Sequence, residues 1–187
     1  SSGNIEVCGY DVDKQSVQAK HELGFVPDHY ALYENLTGRE YVNYIADLYS
    51  VSQEDRNARI EEFVERFCLQ GSFDSPIKTY SHGMKQKISI MGALIHQPKV
   101  FILDEPMVGL DPYTSNQLKN FIKDYASKGN LVLFSSHNLD VVSKLCNRVY
   151  IIDQGRILET LDVKEFNKSK RDFEEYFLSI TKKESRV

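Results

Sequence analysis

Two adjacent carboxylates follow an apolar run in the order Val100-Phe101-Ile102-Leu103-Asp104-Glu105-Pro106. Such a β-branched and aromatic run is typical of a strand buried in a parallel sheet, where ligands bind at the carboxyl ends of the strands. One carboxylate at that edge can hold a magnesium ion, and its neighbour can orient or deprotonate an attacking water. Alone the pair is only moderately specific, because many strands end in acids that serve as helix caps or surface charges.

Two later segments add groups that suit the same chemistry. Gly109-Leu110-Asp111-Pro112 closely follows the two acids, and Ser135-Ser136-His137 directly follows a second apolar strand. Because that strand comes next along the chain, His137 is expected at the same sheet edge, where an imidazole can donate to a phosphate. A lone histidine at a strand end is more often structural, but its place after the acid-bearing strand favours a role in the site.

A third segment, Tyr80 to Lys87, opens a helix with a small hydroxyl, Ser81, and a glycine, Gly83. A helix N-terminus offers free N–H groups and the positive end of the helix dipole, which together bind anions. On its own, Ser81 would be interpreted as an ordinary N-cap.

The elements that position these residues alternate between strands and helices after Ser81. The pattern predicts helices at about 82–96, 113–127 and 139–145, strands at 99–104 and 131–134, and a hairpin over 149–158. An amphipathic helix is expected from Asp162 onward, with Phe166, Phe173, Phe177 and Leu178 in need of a packing surface. The alternation predicts an α/β fold with a mostly parallel sheet flanked by helices.

The first part of the chain predicts two short strands and a small helical subdomain. Residues 5–9 alternate as a half-exposed strand does, and a second strand over 23–27 ends at a proline. Thr37 and Glu40 have the spacing of a capping box that starts a helix. The apolar faces of the two helices comprise Tyr41, Tyr44, Ile45 and Leu48 in the first and Ile60, Phe63, Val64 and Phe67 in the second.

Composition excludes several classes of protein. The 187 residues carry a net charge of −4, which gives no reason to expect a nucleic-acid surface. The longest apolar stretch, Ile88 to Ile95, is too short to cross a bilayer, and no signal peptide is recognisable. The three cysteines follow no metal-ligand spacing and indicate buried or neutral thiols in a reducing compartment. We therefore expect a cytosolic protein or one that docks on a membrane protein.

In order and spacing, these segments resemble the nucleotide-binding domain of ABC transporters from about Gly3 to Leu178. Phe101 to Pro106 resembles the Walker B strand, which implies that Asp104 binds the metal and that Glu105 is the catalytic glutamate. Ser136-His137 resembles the switch-histidine loop, which implies a catalytic role for His137.

The other motifs imply a dimer. Gly109 to Pro112 resembles the D-loop, in which Asp111 touches the partner subunit across the dimer. Tyr80 to Gln86 resembles the signature motif, in which Ser81 and Gly83 contact the γ-phosphate of ATP held by the other subunit. The resemblance implies a P-loop NTPase-like fold, ATP and Mg²⁺ as cofactors, and a place at the cytoplasmic face of the cell membrane. The implied partners are a transmembrane permease subunit and a second ATP-binding subunit, identical or different, but no nucleic acid.

Two departures from the family pattern stand out. The signature usually reads Leu-Ser-Gly-Gly-Gln, whereas Tyr80, His82 and Met84 replace three of those five residues. The resemblance implies that His82 would add a titratable group beside the phosphate. Asp28 stands where the family has a metal-binding glutamine, and an aspartate can also hold a hard cation through oxygen. The following segment, Leu32 to Thr37, resembles the one that leads to the subdomain receiving the transporter's coupling helix, in the manner of bacterial export-type cassettes.

The chain contains no Gly-x-x-x-x-Gly-Lys-Ser/Thr phosphate loop. We expect it to begin after that loop, so that the N-terminal part of the fold is missing and the fragment alone is inactive. In the resembled fold the absent strand pairs next to 131–134 and 149–152. Its loss predicts unpaired edges, poor stability and self-association.

The sequence divides into four predicted segments: a partial N-terminal β region at 1–37, a helical subdomain at 38–80, a catalytic α/β core at 81–160, and a helical tail at 161–187. The favoured function is the ATP-hydrolysing subunit of an ABC transporter. A soluble ABC-type ATPase of translation or DNA repair stays an alternative, and a non-catalytic interaction domain is the third.

Overall fold

The computed structural model describes residues 3–169 and 171–184. The chain forms two compact units, one up to Ser135 and one from Ser136 onward. The four segments expected from the sequence stay a prediction. Among the described residues, every helix is too short or too polar to cross a membrane.

The first unit contains a three-stranded parallel sheet in the order β3-β4-β5. Its strands are β3 at Leu23–Val26, β4 at Val100–Leu103 and β5 at Leu131–Phe134. Val26 pairs with Leu103, and Leu103 pairs with Phe134, so the three carboxyl ends lie in register. This arrangement confirms the expected parallel α/β architecture and brings the residues after each strand to one edge.

The strand expected over 5–9 is instead a small hairpin. Strand β1, Glu6–Val7, pairs antiparallel with β2, Tyr10–Asp11. The chain reverses at Cys8 and Gly9, whose φ angles of 51° and 85° are both left-handed. Two successive left-handed residues make the tight turn that joins antiparallel strands, so the alternating pattern is interrupted after Val7.

The longer helices of the first unit lie close to their expected places, whereas the short helix at Ser16–His21 was not expected from the sequence. They are α1 at Ser16–His21, α2 at Gly38–Leu48, α3 at Gln53–Arg66, α4 at His82–Leu94 and α5 at Pro112–Ser127, with a 3₁₀ turn at Ile77–Thr79. The predicted capping box is present: Thr37 Oγ1 accepts from the Glu40 N–H at 3.1 Å, and Glu40 Oε2 accepts from the Thr37 N–H at 2.8 Å. These bonds fix the start of α2.

Helix α4 packs directly on strand β3 at Gly24. A Cβ atom added there would lie only 2.4 Å from the backbone oxygen of Ala93, so only glycine allows this approach. Strand β4 is also anchored by burial, because Phe101 is fully buried against Phe121 of α5. The sheet face that carries Gly24 and Phe101 is therefore covered by helices that the motifs themselves begin, whereas Phe25 and Leu133 on the other face are exposed.

The described residues of the second unit form a hairpin and three helices. Its elements are α6 at Leu139–Leu145, β6 at Arg148–Asp153, β7 at Arg156–Asp162, α7 at Val163–Lys168 and α8 at Phe173–Glu184. The predicted hairpin is confirmed and turns at Gln154 and Gly155, with φ angles of 47° and 75°.

The single helix expected from Asp162 is wrong, because the tail forms two helices. Asp162 caps α7 by accepting from the Glu165 N–H at 2.9 Å, and Asp172 accepts from the N–H groups of Glu174 and Glu175 at the start of α8. Each aspartate starts its own helix by satisfying free N–H groups. Phe166, Phe173 and Phe177 find their packing surface on Ile151 and Leu161 of the hairpin.

Strand β5 has a free edge among the described residues, because its only ladder partner there is β4. Leu131 and Leu133 on this strand are exposed. We expect the isolated chain to self-associate, since such an edge accepts another strand. Light scattering should show a dimer or larger species, shifted toward monomer by Leu133→Lys. A monodisperse wild-type monomer would contradict this prediction.

Candidate functional site

Asp104 and Glu105 directly follow strand β4, and a serine joins them. Ser135 Oγ donates to Asp104 Oδ1 at 2.6 Å and accepts from the Glu105 N–H at 2.9 Å. The backbone N–H of Ser135 donates to the Leu103 carbonyl at 3.1 Å, and that of Asp104 donates to the Val26 carbonyl at 2.9 Å. The ends of all three strands are thus tied together around the acidic pair.

Ser135 was not among the predicted site residues. The available signal was its position, because it is the first polar residue after the strand that pairs with the acid-bearing one. Its hydroxyl fixes the orientation of the Asp104 carboxylate and supports the Glu105 backbone.

Glu105 has a backbone conformation that side-chain-bearing residues rarely adopt. Its φ is 43°, in the left-handed region. The Val108 N–H donates to the Glu105 carbonyl at 3.2 Å, and the next residue, Pro106, is buried. Non-glycine residues are held in this region at a cost of about 1–3 kcal/mol, and such strain clusters at functional sites. The conformation turns the chain sharply at the end of the strand.

Asp28 lies two residues beyond the end of β3, the strand next to β4. Its carboxylate oxygen Oδ2 lies 2.8 Å from Nδ1 of His29, and the Asp28 side chain is partly exposed. Burial together with the negative charge of Asp28 raises the pKa of the adjacent Tyr30 to about 12. Tyr30 is therefore a neutral phenol at physiological pH, and the metal-binding role of Asp28 stays a prediction.

Ser81 is the N-cap of α4 and accepts from the Met84 N–H at 3.3 Å. A Cβ atom added at Gly83 would lie 3.5 Å from Cγ2 of Thr114 and 3.7 Å from Cδ2 of Leu110. The first turn of α4 therefore packs beside the start of α5 and the loop before it. The roles of Ser81 and Gly83 in holding nucleotide stay predictions.

Asp111 is the N-cap of α5. It accepts from the Thr114 hydroxyl at 2.7 Å and from the N–H groups of Thr114 and Tyr113 at 3.0 and 2.9 Å. These bonds, led by that of the Thr114 hydroxyl, hold the pKa of Asp111 below its usual value. Its carboxylate thus has a structural task within the chain, and its contact with a partner stays a prediction.

His137 belongs to the second unit and is exposed. It lies two residues after Ser135 and immediately before Asn138, the N-cap of α6, which accepts from the Val141 N–H at 3.1 Å. Its predicted catalytic role stays a prediction.

The donors at the acidic edge suit magnesium. Among the described residues, no group of three or more His, Cys, Asp and Glu side chains could hold a metal ion by itself. Magnesium fits such a site, because it keeps several waters and binds one or two carboxylates together with substrate phosphates. Asp104 is exposed and its orientation is fixed by Ser135, so a hydrated cation can reach it.

A groove of about 440 Å³ lies elsewhere on the first unit, between strand β3 and helices α2 and α4. It is mostly apolar, and its lining includes Leu23, Phe25, Leu32, Tyr41, Ile45, Leu48, Tyr49, Ala93 and His96. Within this lining the His96 ring stacks on Tyr49 with centroids 3.7 Å apart, and burial lowers the pKa of His96 to about 4. The imidazole is therefore neutral at physiological pH.

The comparisons of this chain with known proteins agree with one another. The sequence model of the family described as "ABC transporter" matches residues 1–108. The chain is 38% identical over 157 residues to the linearmycin resistance ATP-binding protein LnrL of Bacillus subtilis, covering 84% of this chain and 50% of that protein. It is 32% identical over 183 residues to the ABC transporter ATP-binding protein NatA of the same organism, covering 97% of this chain and 74% of that one.

A solved structure has the same fold. It is described as the structure of the ATP-binding subunit of an ABC transporter, and it matches with a TM-score of 0.88 at 26% identity, over 96% of this chain and 77% of that one. This match confirms the predicted fold class. The chain spans about half the length of LnrL.

Proposed function

The chain belongs to the ABC transporter family, and from this premise we propose that it forms part of a subunit that hydrolyses ATP to drive transport across a membrane. The observation that carries the proposal is the acidic pair at the end of β4, with Asp104 and the backbone of Glu105 both hydrogen-bonded to Ser135. A fixed metal-side carboxylate beside a second carboxylate suits the positioning that phosphoryl transfer requires.

Each acid has a separate proposed task. Bound Mg²⁺ would neutralise charge on the phosphates, and Asp104 would hold it, with Asp28 as a second oxygen ligand. Glu105 would orient a water against the γ-phosphorus and accept its proton as the oxygen attacks, so that ADP leaves with the bridging oxygen. The left-handed backbone of Glu105 and its bond to Ser135 support this task, because they fix the direction of the chain at the acid.

Two further sets of residues complete the proposed site. His137 would donate to the γ-phosphate. Ser81, Gly83 and Asp111 would serve the nucleotide held by a second ATP-binding subunit, identical or different. The packing of the first turn of α4 beside the start of α5 supports this grouping, since it places the signature segment next to the loop that bears Asp111.

The proposed membrane partner is a permease subunit, which would hold this chain at the cytoplasmic face of the membrane. The apolar groove beside α2 supports this proposal, because an amphipathic helix can lay its apolar face into such a groove. Three large side chains in or near this groove are exposed, namely Tyr33, Tyr44 and Leu48. Exposed apolar patches often mark the binding site of a partner.

Asp104→Asn in the full-length protein tests the metal assignment. We expect ATP turnover to fall by about 10²-fold or more, because the amide removes the negative charge that holds the cation. Turnover should be measured against Mg²⁺ and Mn²⁺ concentration, with the exposed Asp13→Asn as the matched control. An Asp104→Asn protein with wild-type turnover and metal dependence would refute the assignment.

A further inference from the structure

Two side chains of α4 hold the loop that follows Glu105. The Gln86 amide donates to the Pro106 carbonyl, and Nε2 of His82 donates to the Val108 carbonyl at 3.2 Å. His82 and Gln86 are four residues apart, so they project from the same face of the helix. The carbonyls that they bind are two residues apart in one loop. The helix therefore contacts this loop at two points.

The inner contact is protected from water. Gln86 is only 2% exposed, and Pro106 is buried as well. The other amide atom of Gln86, Oε1, is buried and has no hydrogen-bond partner among the described residues. A buried polar group left unbonded is costly, so the bond to Pro106 is the interaction that justifies a glutamine at this place.

The outer contact depends on His82 and Gly109 together. Gly109 has a φ of 71°, and a Cβ atom added there would lie 3.2 Å from both Cδ2 and Nε2 of His82. The imidazole thus lies directly against the glycine backbone. The Tyr30 ring also approaches His82, with the two ring centroids 5.5 Å apart. His82 consequently joins the segment after β3, the start of α4 and the loop after β4.

We propose that His82 and Gln86 are positioning residues that clamp the loop from Glu105 to Gly109, and through it orient Glu105. A glycine at position 82, as in the usual signature, has no side chain to bind the Val108 carbonyl. One of the two clamping residues, His82, is therefore at a position where this chain departs from the usual signature of the family. The effect of the clamp on catalysis rests on the proposed function. The contacts that form the clamp do not depend on that function.

Steady-state kinetics of the full-length protein test the catalytic consequence. His82→Ala should lower kcat for ATP by about fivefold, the factor expected from one modest hydrogen bond, and should leave KM within about twofold. His82→Gln retains a donor and should recover at least half of the lost kcat. A purely structural defect would not be rescued by this change. Unaltered kcat in His82→Ala, or a loss confined to KM, would overturn the catalytic role.

Hydrogen exchange tests the clamp without any activity. In the chain described here, His82→Ala should speed the exchange of the backbone amides at 107–109. These include the Val108 N–H, which donates a hydrogen bond to the Glu105 carbonyl. His82→Gln should restore slow exchange, and Gln86→Met, which keeps the buried volume, should speed it again. Unchanged exchange in both His82→Ala and Gln86→Met would refute the clamp. If the full-length wild type fails to hydrolyse ATP, the proposed function fails while this measurement still decides the clamp.

Discussion

Replacing Glu105 by glutamine should lower ATP turnover of the full-length protein by a factor of about 10² to 10⁴, the range that general-base catalysis contributes. Glutamine has nearly the same shape as glutamate but cannot accept the proton of the attacking water. The bond from the Glu105 N–H to Ser135 uses the backbone, so the substitution leaves it in place. ATP binding should therefore persist while hydrolysis stops.

Turnover and nucleotide affinity need to be measured on the same preparation, by phosphate release and by equilibrium binding. Glu62→Gln, on the exposed surface of α3, is the matched control and should behave as the wild type. An unimpaired rate in Glu105→Gln would remove Glu105 from its catalytic role. A loss of ATP binding in that variant would point to a damaged site rather than to a missing base.

Leu48→Asp should weaken assembly with the proposed permease by about 30-fold or more, the effect of losing a residue central to an interface. Leu48 is 60% exposed and lines the apolar groove beside α2. A carboxylate there stays hydrated in the free chain, so folding should be unaffected. On docking of an apolar helix, however, the charge would lose its water without a partner, which is unfavourable.

Co-purification of the full-length protein with the proposed permease measures this effect, and circular dichroism checks the fold. Ile5→Asp is the matched control, because Ile5 is 68% exposed and does not line the groove. We expect Ile5→Asp to assemble normally. Equal assembly of Leu48→Asp and wild type would exclude this groove as the docking site, although it would leave the catalytic proposals untouched.

The sequence was sufficient for features that depend on neighbouring residues. The apolar run at 100–103 followed by Asp104 and Glu105 predicted a buried strand that delivers two acids to a sheet edge, and the sheet places them there. Thr37 and Glu40 predicted their capping box from spacing alone. Burial periodicity and caps act over a few residues, so local patterns encode them directly.

Local patterns failed where short-range turns competed with periodicity. The alternation over 5–9 looked like one strand, but left-handed Cys8 and Gly9 fold it into a hairpin. The apolar spacing after Asp162 looked like one helix, but Asp172 caps a second one. In both places a turn or cap overrode the periodic signal. That signal was correct that Phe166, Phe173 and Phe177 pack against the hairpin, but Ile5 and Leu178, on the same predicted apolar faces, are exposed.

By itself, then, the sequence determined that two acids end a buried strand and that Ser81 starts a helix. Only the tertiary structure decided what holds the acids: Ser135, from 31 residues beyond Asp104, and the clamp of His82 and Gln86 on the following loop. Periodicity states which face of an element is buried, because burial is a property of that element. It does not state which donor meets which carbonyl, because that depends on how separate elements pack against one another.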